Sequence, residues 1–146
     1  MMKKRFNLAE LQPKAYKAML GFEAYLQSSD LSKQHINLIK IRASQINNCA
    51  YWLNMHTEEA LKNGETQQRL FLISAWRETN LFTDEEKNIL ALTEETTLIH
   101  QHGVSDSVYD ISVKLFGENY VAQMIMAIIA INGWNRIAIS THLPID

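Results

Sequence analysis

A chain of 146 residues, 47% hydrophobic and 21% charged, is long enough to bury one core without metal or disulfide staples. Its 14 Lys and Arg against 16 Asp and Glu leave a formal charge of −2, which offers no electrostatic footprint for nucleic acid or an anionic membrane. Its single cysteine, Cys49, excludes a disulfide-stapled secreted scaffold.

The start, MMKKRFNLAE, is basic but is not followed by the apolar core of a signal peptide, so a cytoplasmic protein is expected. Residues 11–27 carry a helical pattern with Tyr16, Met19, Leu20 and Phe22 inward. SSDLS then supplies a turn and a cap for a helix over residues 32–45. The Asn47-Asn48 pair breaks it and caps a third helix over residues 49–63, stopped by Gly64. Thr66 opens a short helix through Phe71 to Ser74, and Thr83 with Glu86 has capping-box spacing for a long one reaching His100. HGVSD is a turn, Ser105 caps a helix to Phe116, and Gly117 precedes a final apolar helix over residues 119–141. Nothing reads as a linker or repeat. The expectation is one all-α domain over residues 1–146, with six or seven helices.

The final helix is apolar on more than one face, which predicts association into a homo-oligomer. Its most apolar run, MIMAIIAI, is eight residues long before Asn132, Asn135 and Arg136, too short to cross a bilayer.

QINNCAYWLNMHT holds the chemistry. At about 100° per residue, Cys49, Trp52 and His56 share one helix stripe. Cys49 is expected in the first turn, where free backbone N–H groups and the helix dipole favour a thiolate. His56 lies about 10 Å further along by helical rise. The residues alone leave two readings open, a working thiol and a small buried hydrophobe beside a core Trp52, of which the second is the commoner outcome.

The stretch LIKIRASQINNCAYWLNMHTEEALKNGETQQRLFLISAWRET resembles the carboxymuconolactone decarboxylase family. It is closest in pattern to the alkylhydroperoxidase D-like branch, whose core reads S-Q-I-N-x-C-A-Y-C-x-x-M-H. FTDEEKNILALTEETTLI and AIIAINGWNRIAIS continue the likeness, which spans about residues 8–144. The resemblance implies an AhpD-like helical fold, assembly as dimers, trimers or hexamers, and peroxide reduction by two thiols in C-x-x-C. It also implies a proton relay from a glutamate twelve residues before the first thiol and a histidine seven after it. The first thiol falls on Cys49 and the histidine on His56. The second thiol falls on Trp52 and the glutamate on Asn37. An indole forms no disulfide, and an amide does not exchange a proton as a carboxylate does. A two-thiol cycle of the peroxiredoxin type is therefore not expected here.

Three roles remain open. Cys49 could act alone, resolved by an external thiol reductant or a second subunit. His56 could be the general base of a lyase or isomerase acting on a small organic acid, with Asn37 or Tyr51 orienting the substrate. The pocket could also bind a small organic ligand, or simply pack, without catalysis. No cofactor is implied. The H-x-H pair His100 and His102 lacks companion ligands for a metal and suits a solvated helix end. Glu94-Glu95 reads as a solvated face. Trp76 and Trp134, in the family-like SAWRET and GWNR, read as packing residues beside Arg77 and Asn135. Arg136 inside an apolar helix calls for a partner such as Glu94, Glu95 or a neighbouring subunit.

Overall fold

The computed structural model describes residues 2–145, which hold nine α-helices and one 3-10 segment and no strand. In chain order the helices are α1 (Leu8–Leu11), α2 (Pro13–Ser28), α3 (Lys33–Ile46), α4 (Ala50–Lys62) and α5 (Gln67–Leu72). The 3-10 segment Ile73–Glu78 follows, then α6 (Asp84–Thr97), α7 (Ile99–His102), α8 (Asp106–Phe116) and α9 (Glu118–Thr141). The all-helical expectation holds. The higher count has two local causes: a four-residue α1 stands before Pro13, and the helix expected to reach His100 breaks at Leu98, leaving the four-residue α7.

The caps explain the boundaries. Ser32, Thr66 and Ser105 each accept from the backbone N–H three residues on. Thr83 and Glu86 close a reciprocal capping box. Each such cap contributes on the order of 1 kcal/mol. At the Asn47-Asn48 break, Asn48 takes a left-handed φ of 54°, a conformation asparagine tolerates well.

Helix α3 packs against α4, α6 and α9 and is enclosed by them. Leu38, Ile39 and Ile41 are 1%, 0% and 1% exposed, and burying each contributes roughly 1.5–3 kcal/mol. Enclosure has a consequence for its polar residues. Asn37, Lys40 and Ser44, spaced to share one stripe, are all buried with it. The inward face of α2 is Tyr16, Met19, Phe22 and Leu26; Leu20 instead is exposed.

Helix α9 has the length and apolarity to cross a membrane. Ten of its residues, among them Met124, Ile128 and Ile131, are buried against α2, α3, α4, α6 and α8, as in a core helix. Ile129 and Ile139 on it remain half exposed.

Candidate functional site

Cys49 is the residue before α4, not a member of its first turn: at φ −92° and ψ 94° it is the N-cap, with no capping hydrogen bond from its side chain. Its thiol is 1% exposed and lies 4.0 Å from the backbone carbonyl of Asn135 on α9. Burial pushes the thiol pKa up, and the polar groups nearest the sulfur, at Trp52, Asn135 and Tyr51, only partly oppose this. The expected activation of sulfur by the helix opening is therefore outweighed by desolvation.

Position 52 is filled by an anchored indole. Trp52 Nε1–H donates to the backbone carbonyl of Trp134 at 3.0 Å. Its ring stacks on the His56 imidazole, centroids 5.4 Å apart and 20° from parallel. Tyr51 meets it edge-on at 5.3 Å and Trp134 at 5.3 Å. No hydrogen bond joins Cys49 to His56. Trp52 and His56 share the face of α4 foreseen for them, but the indole pairs with the imidazole and leaves the thiol apart, one residue before the helix.

His56 is 3% exposed. Its Nδ1 lies 3.2 Å from Glu59 Oε2, and a carboxylate accepts only, so Nδ1 carries the proton and donates. The neutral ring then has its lone pair on Nε2, which is buried and without a partner. Burial, reinforced by the nearby Lys40 ammonium, lowers the His56 pKa to about 4 against the opposing pull of Glu59 and Glu23. The imidazole is neutral at pH 7.

Three residues absent from the expected site set complete it. Lys40 Nζ donates to Glu23 Oε2 at 2.7 Å, and Trp134 Nε1–H donates to Glu23 Oε1 at 3.0 Å. Lys40, Glu23 and Glu59, the charges that act on His56, all line one cavity of about 440 Å3, together with Asn37. A volume of that order suits a small organic molecule. The signals for them were present: Lys40 interrupts the apolar LIKIRA run, and Glu23 shares the inward face of α2 with Met19, Phe22 and Leu26. A charge within an apolar stripe needs a partner, and these two are each other's.

Asn37 is 6% exposed and its amide makes no hydrogen bond to the described residues. It also lines a second cavity of about 230 Å3 bounded by Arg69 and Glu65.

Two expectations outside the site need correction. Glu94 is not on a solvated face: it accepts from Arg42 at 2.9 Å, Trp76 at 2.8 Å and Arg77 at 2.6 Å. Glu95 accepts from the backbone N–H and hydroxyl of Ser105. Arg136 needs neither of them, because it is exposed and donates to Asn132 one turn before it. Trp76 and Trp134 are 7% and 4% exposed core residues, and Arg77 lies over the Trp76 ring at 4.0 Å. His100 and His102 sit exposed on α7, and no group of three or more His, Cys, Asp or Glu converges on a metal-sized site among the described residues.

A long central helix, a second helix opened by an asparagine break and a buried cysteine, and a closing apolar helix with GWNR define a class of helical proteins. The chain belongs to the carboxymuconolactone decarboxylase family, whose model matches residues 13–95. It is 38% identical over 139 residues to the uncharacterized protein YdfG of Bacillus subtilis (strain 168), covering 95% of each chain. Its fold is similar to that of ATU0492 of Agrobacterium tumefaciens, a protein of unknown function for which the role of antioxidant defence protein AhpD has been suggested. That match has a TM-score of 0.94 at 37% identity and covers 99% of this chain and 100% of the other. An uncharacterized peroxidase-related protein of Silicibacter sp. TM1040 shares the fold at a TM-score of 0.78 and 18% identity, covering 88% of this chain and 68% of that one.

Proposed function

We propose that this AhpD-like protein binds a small organic molecule in the cavity beside His56, and that His56, not Cys49, is its working group. One observation carries the reading: a buried neutral imidazole is fixed by Glu59 at one nitrogen and left without a partner at the other. Such a nitrogen accepts a hydrogen bond or a proton, and Glu59, which holds the other nitrogen and lines the cavity, links the ring to a bound ligand and steadies any charge it acquires. Lys40 and Glu23, locked together, present a fixed dipole to the same space. With Trp52 anchored in the second-thiol position and Asn37 in that of the glutamate, the scaffold of an antioxidant peroxidase is kept without its disulfide cycle.

Ligand-detected NMR with a panel of small aromatic and aliphatic acids, alcohols and amides tests this. Binders that vanish in His56→Gln and persist in Cys49→Ser are expected; binders that instead depend on Cys49 overturn it.

A second reading rests on the place of Cys49 as the N-cap of α4, at the positive end of the helix dipole. In it, Cys49 Sγ attacks the terminal oxygen of an organic hydroperoxide, leaving a sulfenic acid and an alcohol; two thiol groups of an external reductant then restore the Cys49 thiol, releasing water and leaving as their own disulfide. Turnover of cumene hydroperoxide with dithiothreitol, abolished by Cys49→Ser, is its signature; equal inertness of both proteins dismisses it. Homo-oligomerisation is proposed alongside, through the exposed apolar side chains Ile99 and Ile129, and light scattering measures it.

A further inference from the structure

The cavity beside His56 is balanced in charge. Lys33 and Lys40 stand against Glu23 and Glu59 on its wall, and the imidazole beside them is neutral. Lys40 and Glu23 are already spent on each other at 2.7 Å, with the second oxygen of Glu23 held by Trp134. A carboxylate entering here meets no free buried cation, and an ammonium meets no free buried anion. Either leaves most of its hydration behind and finds only the exposed charges of Lys33 or Glu59 at the rim to replace it, a weak return for the cost.

What the wall does offer is hydrogen bonding that nothing uses. The Asn37 side chain is more than nine-tenths buried, lines both cavities and makes no hydrogen bond to the described residues, so its two N–H donors and its carbonyl acceptor are all available. Asn63 shares both cavity walls with it. Leu26, Leu31 and Ile36 supply an apolar flank for a hydrocarbon body. A glutamate at position 37 would give this wall a surplus negative charge; the amide removes that charge and puts a donor and an acceptor in its place.

We infer that the unpartnered Asn37 amide selects an uncharged ligand presenting a donor and an acceptor side by side, such as a primary carboxamide or a hydroxy ketone, with its apolar end against Leu26, Leu31 and Ile36. This deepens the reading of the cavity as a small-molecule site coupled to His56 and rests on it: Glu59, which holds Nδ1 of His56, stands on the same wall as Asn37. Selection of this kind is sharp, because a wrong head group leaves both itself and the site's buried amide unsatisfied.

Three probes with one ring and different heads, benzamide, benzoate and benzylammonium, are titrated into 15N-labelled protein at pH 7. The Asn37 side-chain amide and His56 ring signals are followed. Benzamide is expected to shift both and to bind about tenfold more tightly than either charged probe. In Asn37→Asp the ranking turns toward benzylammonium, since the wall then carries one net negative charge. Benzoate or benzylammonium binding the wild type as tightly as benzamide, with binding still lost in His56→Gln, overturns the selection and leaves the His56 site standing. None of the three moving either signal overturns the inference and the small-molecule reading together. The wild-type ranking needs no variant, so it decides the matter even where Asn37→Asp does not fold.

Discussion

Two buried polar clusters draw on helix α3, one through Arg42 and the other through Lys40 and Asn37, and they are finished differently. Around Glu94 both carboxylate oxygens are matched: Arg42 and Trp76 donate to one, Arg77 donates to the other, and Arg77 also covers the Trp76 ring. Against the burial that would raise it, those donors hold the Glu94 carboxyl below its ordinary range. Around His56 the Lys40–Glu23 pair is complete, but His56 Nε2 is left unfilled in the core and the Asn37 amide, on a cavity wall, makes no hydrogen bond to the described residues. A saturated cluster has nothing left to offer a ligand and serves to lock helices; an unsaturated one carries a desolvation cost that a ligand can relieve.

Removing the acceptor from the saturated cluster gives the largest expected effect. Glu94→Ala strands Arg42, whose side chain is 16% exposed, and costs about 3–5 kcal/mol in denaturant unfolding at pH 7. A loss under about 1 kcal/mol, the range of an exposed ion pair, would mean the cluster is no lock.

The unsaturated cluster is broken with pH. Unfolded, His56 takes its proton near 6.5; folded, only near 4. Between those values the unfolded chain binds more protons, so the stability present above pH 6.5 is lost as pH falls toward 4. The total is on the order of 3 kcal/mol. His56→Gln should flatten that slope. His35, whose pKa burial also lowers, contributes in the same direction, and His35→Gln separates the two. An undiminished slope in His56→Gln would place the imidazole in water rather than in the core.

How much of this contrast was legible beforehand differs between the two clusters. The helices were, because caps such as Ser32, Thr83 and Ser105 act within three residues of chain. The shared face of Trp52 and His56 was legible too. What periodicity could not say is which neighbours on other helices meet that face. Glu59 and Glu94 look alike as helical carboxylates, yet one faces a lone imidazole and the other two arginines and an indole. The thiol stands one residue before the helix expected to contain it, but its enclosure by α9, which periodicity does not reveal, is what raises its pKa.

The smallest expected effect sharpens the comparison most, because it sets two asparagines of similar burial against each other. Asn135, 0% exposed, donates to Ser44 at 3.0 Å and accepts from Asn47 at 2.8 Å. Asn135→Ala leaves both groups wanting and should cost about 1–3 kcal/mol. Asn37→Ala strands nothing, and alanine is the better helix former by several tenths of a kcal/mol, so the change should fall within about 0.5 kcal/mol of zero. A residue that can be cut back at no cost to the fold is kept for something other than the fold. Equal losses at the two positions in chemical denaturation would make Asn37 one more strut, and the cavity it lines a gap between helices.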